Sequence, residues 1–481
     1  MDVTHAGGSD GDSAEGPPTA ARWATVTFLA LFAMNLLDYT DRYVLSAVLP
    51  QVRKDFHLTG VQGGWLTTLF LISYSLVSPF MGYAGDRIKR TWLLALGVGV
   101  WSLATVASGL VATYGQLCLA RAFLGVGEAT YGVIAPTILM DLYARRSRAR
   151  VLSAFYLAMP LGAALGLVVG GWVGQRYGWH RAFFAVGAPG AAAALLALLR
   201  PEPVRGSSEG IDSARLRAHE RAGASREDYL DLMVNSSYTY AVLGMAFYTF
   251  AIGGLSAWLP TLMVETRGFS QGRSTSLLGL TTLCASVVGM GAGGWLADRL
   301  ARTNPRALFV VPGVAMVASI PFVVVALLSR SEPYIYGGIF LAEMLMFMNT
   351  GPCNAVIANV VMPNMRSAAY AVTLFAVHVL GDIWSPPLIG WVSETFSERD
   401  AMLSVFGRAF AAVGAVPTRL PGYSPQNWVA GMLVCVPAVL LAGVVLLAGA
   451  RHLPREMALM LAKLRAKPRR DTADARPAPA G

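Results

Sequence analysis

Eight residues that carry charge or can titrate stand inside long apolar runs of this chain: Asp38, Asp41, Arg42, Arg121, Glu128, Glu343, His378 and Asp382. Asp38, Asp41 and Arg42 are spaced by three, one and four. At about 100° per residue they share one face of a helix. A carboxylate beside an arginine stays ionised, whereas a carboxyl group in apolar surroundings tends to hold a proton. One aspartate can therefore pair with Arg42 while the other exchanges protons; a static charge pair that pins this helix to a neighbour is the alternative. Arg121 and Glu128 lie two turns apart on one face of another run. Arg121 keeps its charge, so it can attract an anionic head group or hold a carboxylate. Glu128 in a water-poor cavity can take up and release protons. The alternative is an internal Arg121–Glu128 bridge. His378 and Asp382, at i and i+4, can hydrogen-bond along one face, and a histidine titrates in the physiological range. Ser385-Pro386-Pro387 should then interrupt the helix and free backbone carbonyls, which a membrane tolerates only against protein or a cavity. A structural kink with a satisfied polar pair fits the same residues. Glu343 has no sequence-local partner and is assigned to the C-terminal part of the same cavity. If these groups meet, proton binding can exchange with binding of an anion, which is carrier chemistry.

The elements that must hold them follow from composition. Of 481 residues 55% are hydrophobic and 14% charged, against roughly 25% charged in soluble proteins. That excludes a large soluble enzyme and a disordered chain. A charge at the centre of a membrane helix costs about 2.5–3.5 kcal/mol, so one that is kept is usually used. Twelve segments reach the ~20 apolar residues needed to cross a bilayer: 23–49, 61–84, 91–112, 115–142, 150–174, 181–199, 238–264, 274–298, 306–328, 333–361, 367–394 and 426–450. Residues 1–22 read as a disordered N-terminus, 23–200 as one six-helix half, 201–235 as a polar linker partly helical at Ser213–Ala222, 236–450 as the second half and 451–481 as a tail. In the tail, Leu453, Met457, Met460, Leu461 and Leu464 fall on one side of a helix that could lie on an anionic leaflet; a disordered tail is the alternative, and 471–481 read as disordered. Cys118, Cys284, Cys353 and Cys435 are far apart inside apolar runs and read as small core residues.

Basic residues set the orientation, because cytoplasmic segments retain Lys and Arg. With the N-terminus inside, inner segments carry 26 of the 38 basic residues and outer segments 10. Both termini and the linker are therefore expected in the cytoplasm. The net charge of +10 is then a membrane-facing surface, not a nucleic-acid footprint. The 34 Arg against 4 Lys point to a GC-rich bacterium and its inner membrane.

Gly82-Tyr83-Ala84-Gly85-Asp86-Arg87-Ile88-Lys89-Arg90 recurs 212 residues on as Gly294-Trp295-Leu296-Ala297-Asp298-Arg299-Leu300-Ala301-Arg302. Both copies end the second span of a half, and parallel six-helix repeats build one large class of secondary transporters. The G-x-x-x-D-R-x-x-R pattern resembles the signature loop of the major facilitator superfamily, and Arg121-Ala122-Phe123-Leu124-Gly125-Val126-Gly127-Glu128-Ala129 resembles its R-x-x-x-G-x-G motif. Asp38-Tyr39-Thr40-Asp41-Arg42, Trp101-Ser102-Leu103-Ala104-Thr105, Ala135-Pro136-Thr137 and His378-Val379-Leu380-Gly381-Asp382 with Ser385-Pro386 and Leu388-Ile389-Gly390 narrow the resemblance to the spinster family of lipid transporters. That likeness implies a central cavity using the positions of Asp41, Arg121 and Glu128, and a lysophospholipid or sphingosine-phosphate-like substrate. Asp86, Arg87, Arg90, Asp298 and Arg299 read as gate residues, with Asp141 a partner for Arg87 or Arg90; topology control by positive charge is the alternative. Gly162, Gly166, Gly170 and Gly171 follow the superfamily's antiporter motif except for Leu167 in place of its proline, and close helix packing explains them equally. Gly268-Phe269-Ser270-Gln271-Gly272 fits G-x-S-x-G but lacks the strand and sheet that hydrolases need; Ser270 reads as a helix N-cap.

The sequence thus points to an all-α membrane protein with the major facilitator fold: twelve transmembrane helices in two six-helix halves. The expected function is alternating-access transport of an amphipathic organic anion, coupled to protons. Arg42, Arg121, Glu343 and Asp382 would bind substrate; Asp41, Glu128, Asp38 and His378 would couple charge. A proton-coupled exporter of drug-like or other small organic solutes is the second reading, and a membrane-embedded receptor or enzyme a third of another class. No cofactor, metal or nucleic-acid partner is expected. Membrane lipids and protons are the other partners, and the chain should act as a monomer.

Overall fold

The computed structural model describes residues 18–143, 145–198, 232, 234–361, 366–418, 420, 421, 423 and 425–465. Apolar runs in lipid have to satisfy their backbone groups internally, and helices do so. The first half consists of α1 (Pro18–Asp55), α2 (Gly60–Arg87), α3 (Arg90–Ser108), α4 (Tyr114–Leu142), α5 (Arg145–Tyr156), α6 (Ala158–Tyr177) and α7 (Trp179–Leu198). The second has α8 (Ser236–Thr261), continued as a π-helical turn through Thr266, then α9 (Gln271–Ala301), α10 (Ala307–Leu328), α11 (Glu332–Phe347) and α12 (Thr350–Val360). It ends with α13 (Arg366–Val377) and a π turn at His378–Asp382, α14 (Ser385–Thr395), α15 (Arg399–Leu403), α16 (Val405–Ala412), α17 (Trp428–Leu433), α18 (Cys435–Gly449) and α19 (Leu453–Arg465). Among the described residues nine helical segments are long and apolar enough on their own to cross a membrane. The other three of the expected spans are α1, α7 and the broken pair α11–α12. Breaks at Leu157, at Met348–Asn349 and at Val434 divide spans five, ten and twelve, which the sequence reading had as continuous. The first helix starts at Pro18, within the segment expected to be disordered. Apart from Leu232, Val234 and Asn235 the linker lies outside the described residues, as do its expected helix at 213–222, the first 17 residues and the tail segment 471–481.

Helix starts are set by local capping. Thr59 and Gln62 form a reciprocal capping box on α2, and Asn235 caps α8 with its side chain. Ser270 does stand at the N-cap of α9, but its backbone carbonyl, not its hydroxyl, takes the bond there. The glycines of α6 serve packing. A Cβ on Gly162 would come within 2.6 Å of the Leu36 carbonyl oxygen, so α1 can lie close along α6 only because that atom is missing.

The halves meet unevenly. One continuous apolar core joins the second half to Val44, Leu45, Val48, Val52 and Leu167 of the first. Leu31, Leu93, Tyr131, Ile138 and Leu139, nearer the termini, belong to a separate cluster. Cross-half bonds follow the same split. Gln271 donates to the Ala47 carbonyl at 2.9 Å, the Gly272 amide to Gln175 at 2.6 Å, and the Gly60 amide at the start of α2 to the Glu394 carboxylate. These lie on the side opposite the termini, so that side is sealed.

Candidate substrate and proton site

The G-x-G of α4 sets the position of Glu128. A Cβ on Gly127 would strike Gly97 and Trp101 of α3, and one on Gly125 would strike Phe70 of α2. Absence of both Cβ atoms lets α4 pack tightly between these helices and turns Glu128, 1% exposed, inward. There it meets Arg42 of α1. Arg42 Nη2 donates to Glu128 Oε2 at 2.6 Å and Nε at 3.1 Å, while Asp38 Oδ2 stands off at 3.8 Å. Asp41 accepts a bond from the Thr105 hydroxyl of α3. The expected pairing of Arg42 with an aspartate of its own helix is present as the longer contact to Asp38, and Glu128, which the spacing did not single out, is the closer partner. The alternative of a bridge between Arg121 and Glu128 is not what forms. Seven residues of helix separate Arg121 from Glu128 by ~10 Å along the axis, and it is α1 that brings an arginine to Glu128.

Arg121 is 2% exposed. Its guanidinium lies 5.4 Å from the centre of the Phe70 ring, and that of Arg42 lies 4.9 Å from the same ring. Two cations therefore share one aromatic ring, a favourable arrangement where water is scarce. Among the described residues nothing bonds Arg121 Nε, Asp38 Oδ1, Asp41 Oδ1 or Glu128 Oε1. Three carboxyl groups face two guanidinium groups, so a proton on one carboxyl group makes the cluster neutral.

Arg42, Phe70 and Arg121 line a cavity of about 130 Å³ between the halves; Ser256, Asp382 and Pro386 face them from the second half. Asp382 is held by His378, whose Nδ1 lies 2.9 and 3.1 Å from its two carboxylate oxygens. The His378 ring meets Tyr74 of α2 edge-on at 6.0 Å, across the interface. The expected helix break is present, and its freed carbonyls find partners: Thr68 donates to Ile383 at 2.6 Å and Trp258 to Pro386 at 2.9 Å. Glu343 is buried too, but it does not line this cavity. Thr282 lies beside it. The structure thus brings Arg42, Arg121, Asp382, Glu128, Asp41 and Asp38 to one place, sets His378 beside Asp382 and leaves Glu343 outside the cavity lining.

A second charged site escaped the sequence reading. Arg53 and Glu265 stand at the sealed end, 7% and 4% exposed. Arg53 Nη1 donates to both Glu265 oxygens at 2.6 and 2.7 Å, and Trp428 Nε1 donates to Oε2 at 2.9 Å. The Trp258 and Trp428 rings stack 4.4 Å apart beside the Arg53 guanidinium. Arg53 and Glu265 are 212 residues apart, the offset of the internal repeat. They are equivalent positions of the two halves meeting at the axis between them, and that offset is the signal that could have found them.

Of the expected gate residues, Arg90 is buried and bonds Asp141 at 2.6 Å. This pair ties α3 to α4 within one half. Arg87 instead lies over its own Tyr83, 3.4 Å from the ring centre. Asp86 occupies the last turn of α2; its side chain lies outside the described residues. In the second copy Asp298 is exposed and Arg299 lies over Trp295 at 5.4 Å. The tail helix α19 docks: Glu456 accepts from the Ser236 and Ser237 amides at 2.9 and 2.7 Å, capping α8, and Leu453 is fully buried.

Residues 31–386 match the Major Facilitator Superfamily. Protein spinster of Drosophila melanogaster is 32% identical over 384 residues, covering 78% of this chain and 62% of that protein; this chain therefore spans less than two thirds of it. Human protein spinster homolog 1 is 35% identical over 381 residues, 75% of this chain and 71% of that one. Among solved structures, a bacterial homolog of the human lysosomal transporter spinster, inward-facing and unoccupied, superposes with a TM-score of 0.78 at 23% identity, over 92% of this chain and 99% of the other.

Proposed function

This chain belongs to the spinster family of the major facilitator superfamily, and from that premise we propose that it moves an amphipathic organic anion by alternating access, coupled to protons. It is a multi-pass membrane transporter and not an enzyme. The observation that carries the proposal is the Arg42–Glu128 pair beside a cavity between the halves. An anion entering the cavity competes with Glu128 for Arg42, and a proton on Glu128 removes the competitor. Arg121 supplies the second cation, and Asp41, Asp38 and His378 are further stations for protons. Leu71, Ile252 and Phe70 offer apolar walls for the start of an alkyl chain. A lysophospholipid or a sphingosine-phosphate-like lipid has this chemistry.

The volume of about 130 Å³ is on the scale of a head group, whereas drug-sized ligand sites span about 300–1,000 Å³. That observation also favours a second reading, proton-coupled export of a small organic solute. In both, the termini and linker face the cytoplasm of a bacterial inner membrane. Asp382 completes the cavity from the second half, and Asp86, Arg87, Arg90, Asp141, Asp298 and Arg299 govern opening on the terminus side.

Flux of lysophosphatidylglycerol and of a short-chain organic phosphate into proteoliposomes, with and without a pH gradient, tests this. Gradient-dependent flux of the lipid, lost in Arg42→Ala, is the expected result. Flux of the short-chain anion alone would replace the lipid reading with the second one. No flux of any anion, with binding retained, would overturn transport at this site.

A further inference from the structure

Between α14 and α17 lies a segment on the sealed side whose apolar surface the described bundle leaves open. Leu403, Val405 and Phe406 are 64, 71 and 72% exposed. At about 100° per residue, Val405, Phe406, Ala409 and Ala412 form one outward arc of α16, with Arg408 at its edge. The inward side is fixed. Gly407 packs against Ala401 and Met402, where a Cβ has no room, and Phe410 meets Phe396 edge-on at 4.9 Å. Asn427 donates to the Ala415 carbonyl at 3.0 Å and, through its amide, to Ser393 at 3.0 Å; Thr418 and Gln426 form an antiparallel bridge. The apolar arc is therefore presented by a braced unit.

We propose that α15 and α16 lie in the interfacial layer of the leaflet on the sealed side, with Leu403, Val405 and Phe406 among the upper acyl chains and Arg399 and Arg408 at the phosphates. Two observations select a lipid surface. The segment starts four residues after span eleven ends, and Trp384 and Trp391, both 55% exposed, carry the lipid-facing surface of that span toward it. An apolar arc edged by exposed arginine is the pattern of helices that lie in a membrane plane, just as tryptophan marks that plane. The same segment reaches the seal: Tyr423 lies 5.8 Å from Lys54 Nζ, and Trp428 bonds Glu265. The leaflet thus holds one end of a cover whose other end lies on the Arg53–Glu265 pair. This inference does not depend on the identity of the substrate.

The test places a single cysteine at Phe406 or at Val405 in the full chain, with the four native cysteines replaced by serine. Each variant carries an environment-sensitive fluorophore and is reconstituted in phosphatidylcholine–phosphatidylglycerol vesicles, with a label at exposed Ser331 for comparison. Expected at both positions is blue-shifted emission, quenched at least twofold more by lipids bearing a nitroxide near the head group than by nitroxide at the chain end or by aqueous iodide. Water-like emission quenched by iodide would overturn the proposal. Blue-shifted emission indifferent to lipid nitroxides would show a protein cover, such as a second copy, and would overturn it as well.

Discussion

Glu128→Gln is expected to bind anion at least as tightly as the wild type while losing all pH dependence of binding and transport. In the wild type Glu128 holds Arg42 through two bonds at 2.6 and 3.1 Å. An anion must displace the carboxylate, or the carboxylate must take a proton. The protonated form leaves Arg42 to the anion, so affinity should rise as pH falls, by up to about tenfold per pH unit for one linked proton. Glutamine keeps the shape and cannot change charge, so it imitates the protonated form at every pH. Arg42→Ala should do the opposite. It removes a charge-assisted contact of about 1.5–3 kcal/mol, a loss of roughly 10- to 150-fold in affinity. Melting temperatures measured beside flux separate these outcomes from a static bridge, in which both variants would lose stability and transport in proportion. Wild-type-like pH dependence in Glu128→Gln would move the coupling to Asp41, Asp38 or His378.

Arg53→Ala should produce the largest conformational effect. The Arg53–Glu265 pair lies at the interface of the halves and is buried in this sealed arrangement. Removing one partner of a buried ion pair costs about 3–5 kcal/mol, because the other charge is left uncompensated. In the open state water can solvate Glu265, so the cost falls on the sealed state alone. The ratio of open to sealed molecules should rise more than a hundredfold. Spin labels at Ala112 and Ser270, on opposite halves of this side, should report the longer distance. The exchange Arg53→Glu with Glu265→Arg should restore the short one, since the two positions are equivalent in the repeat. An unchanged distance distribution in Arg53→Ala would reduce the pair to packing.

How far the sequence carried depends on whether an interaction is local. Span positions, the 212-residue repeat and the helix break after His378 are properties of short stretches, and they were readable. So was the His378–Asp382 pair, four residues apart on one helix. The Arg42–Glu128 pair was not, because 86 residues separate its partners and only the packing of α1 against α4 decides between Glu128 and the two aspartates nearby. Arg53 and Glu265 were counted as outer basic charge or passed over, although the repeat offset links them. Glu456 at the start of α8 was invisible for the same reason: a capping carboxylate 220 residues away leaves no local mark.

The most direct test of the account is the number of protons taken up when the anion binds. Isothermal titration of wild-type protein and Glu128→Gln with lysophosphatidylglycerol, in buffers of different ionisation enthalpy, measures it. The account expects close to one proton bound per anion in the wild type, because Glu128 must be neutral to release Arg42, and none in Glu128→Gln. Anion binding to the wild type with no proton uptake, or the same uptake in both proteins, would contradict it.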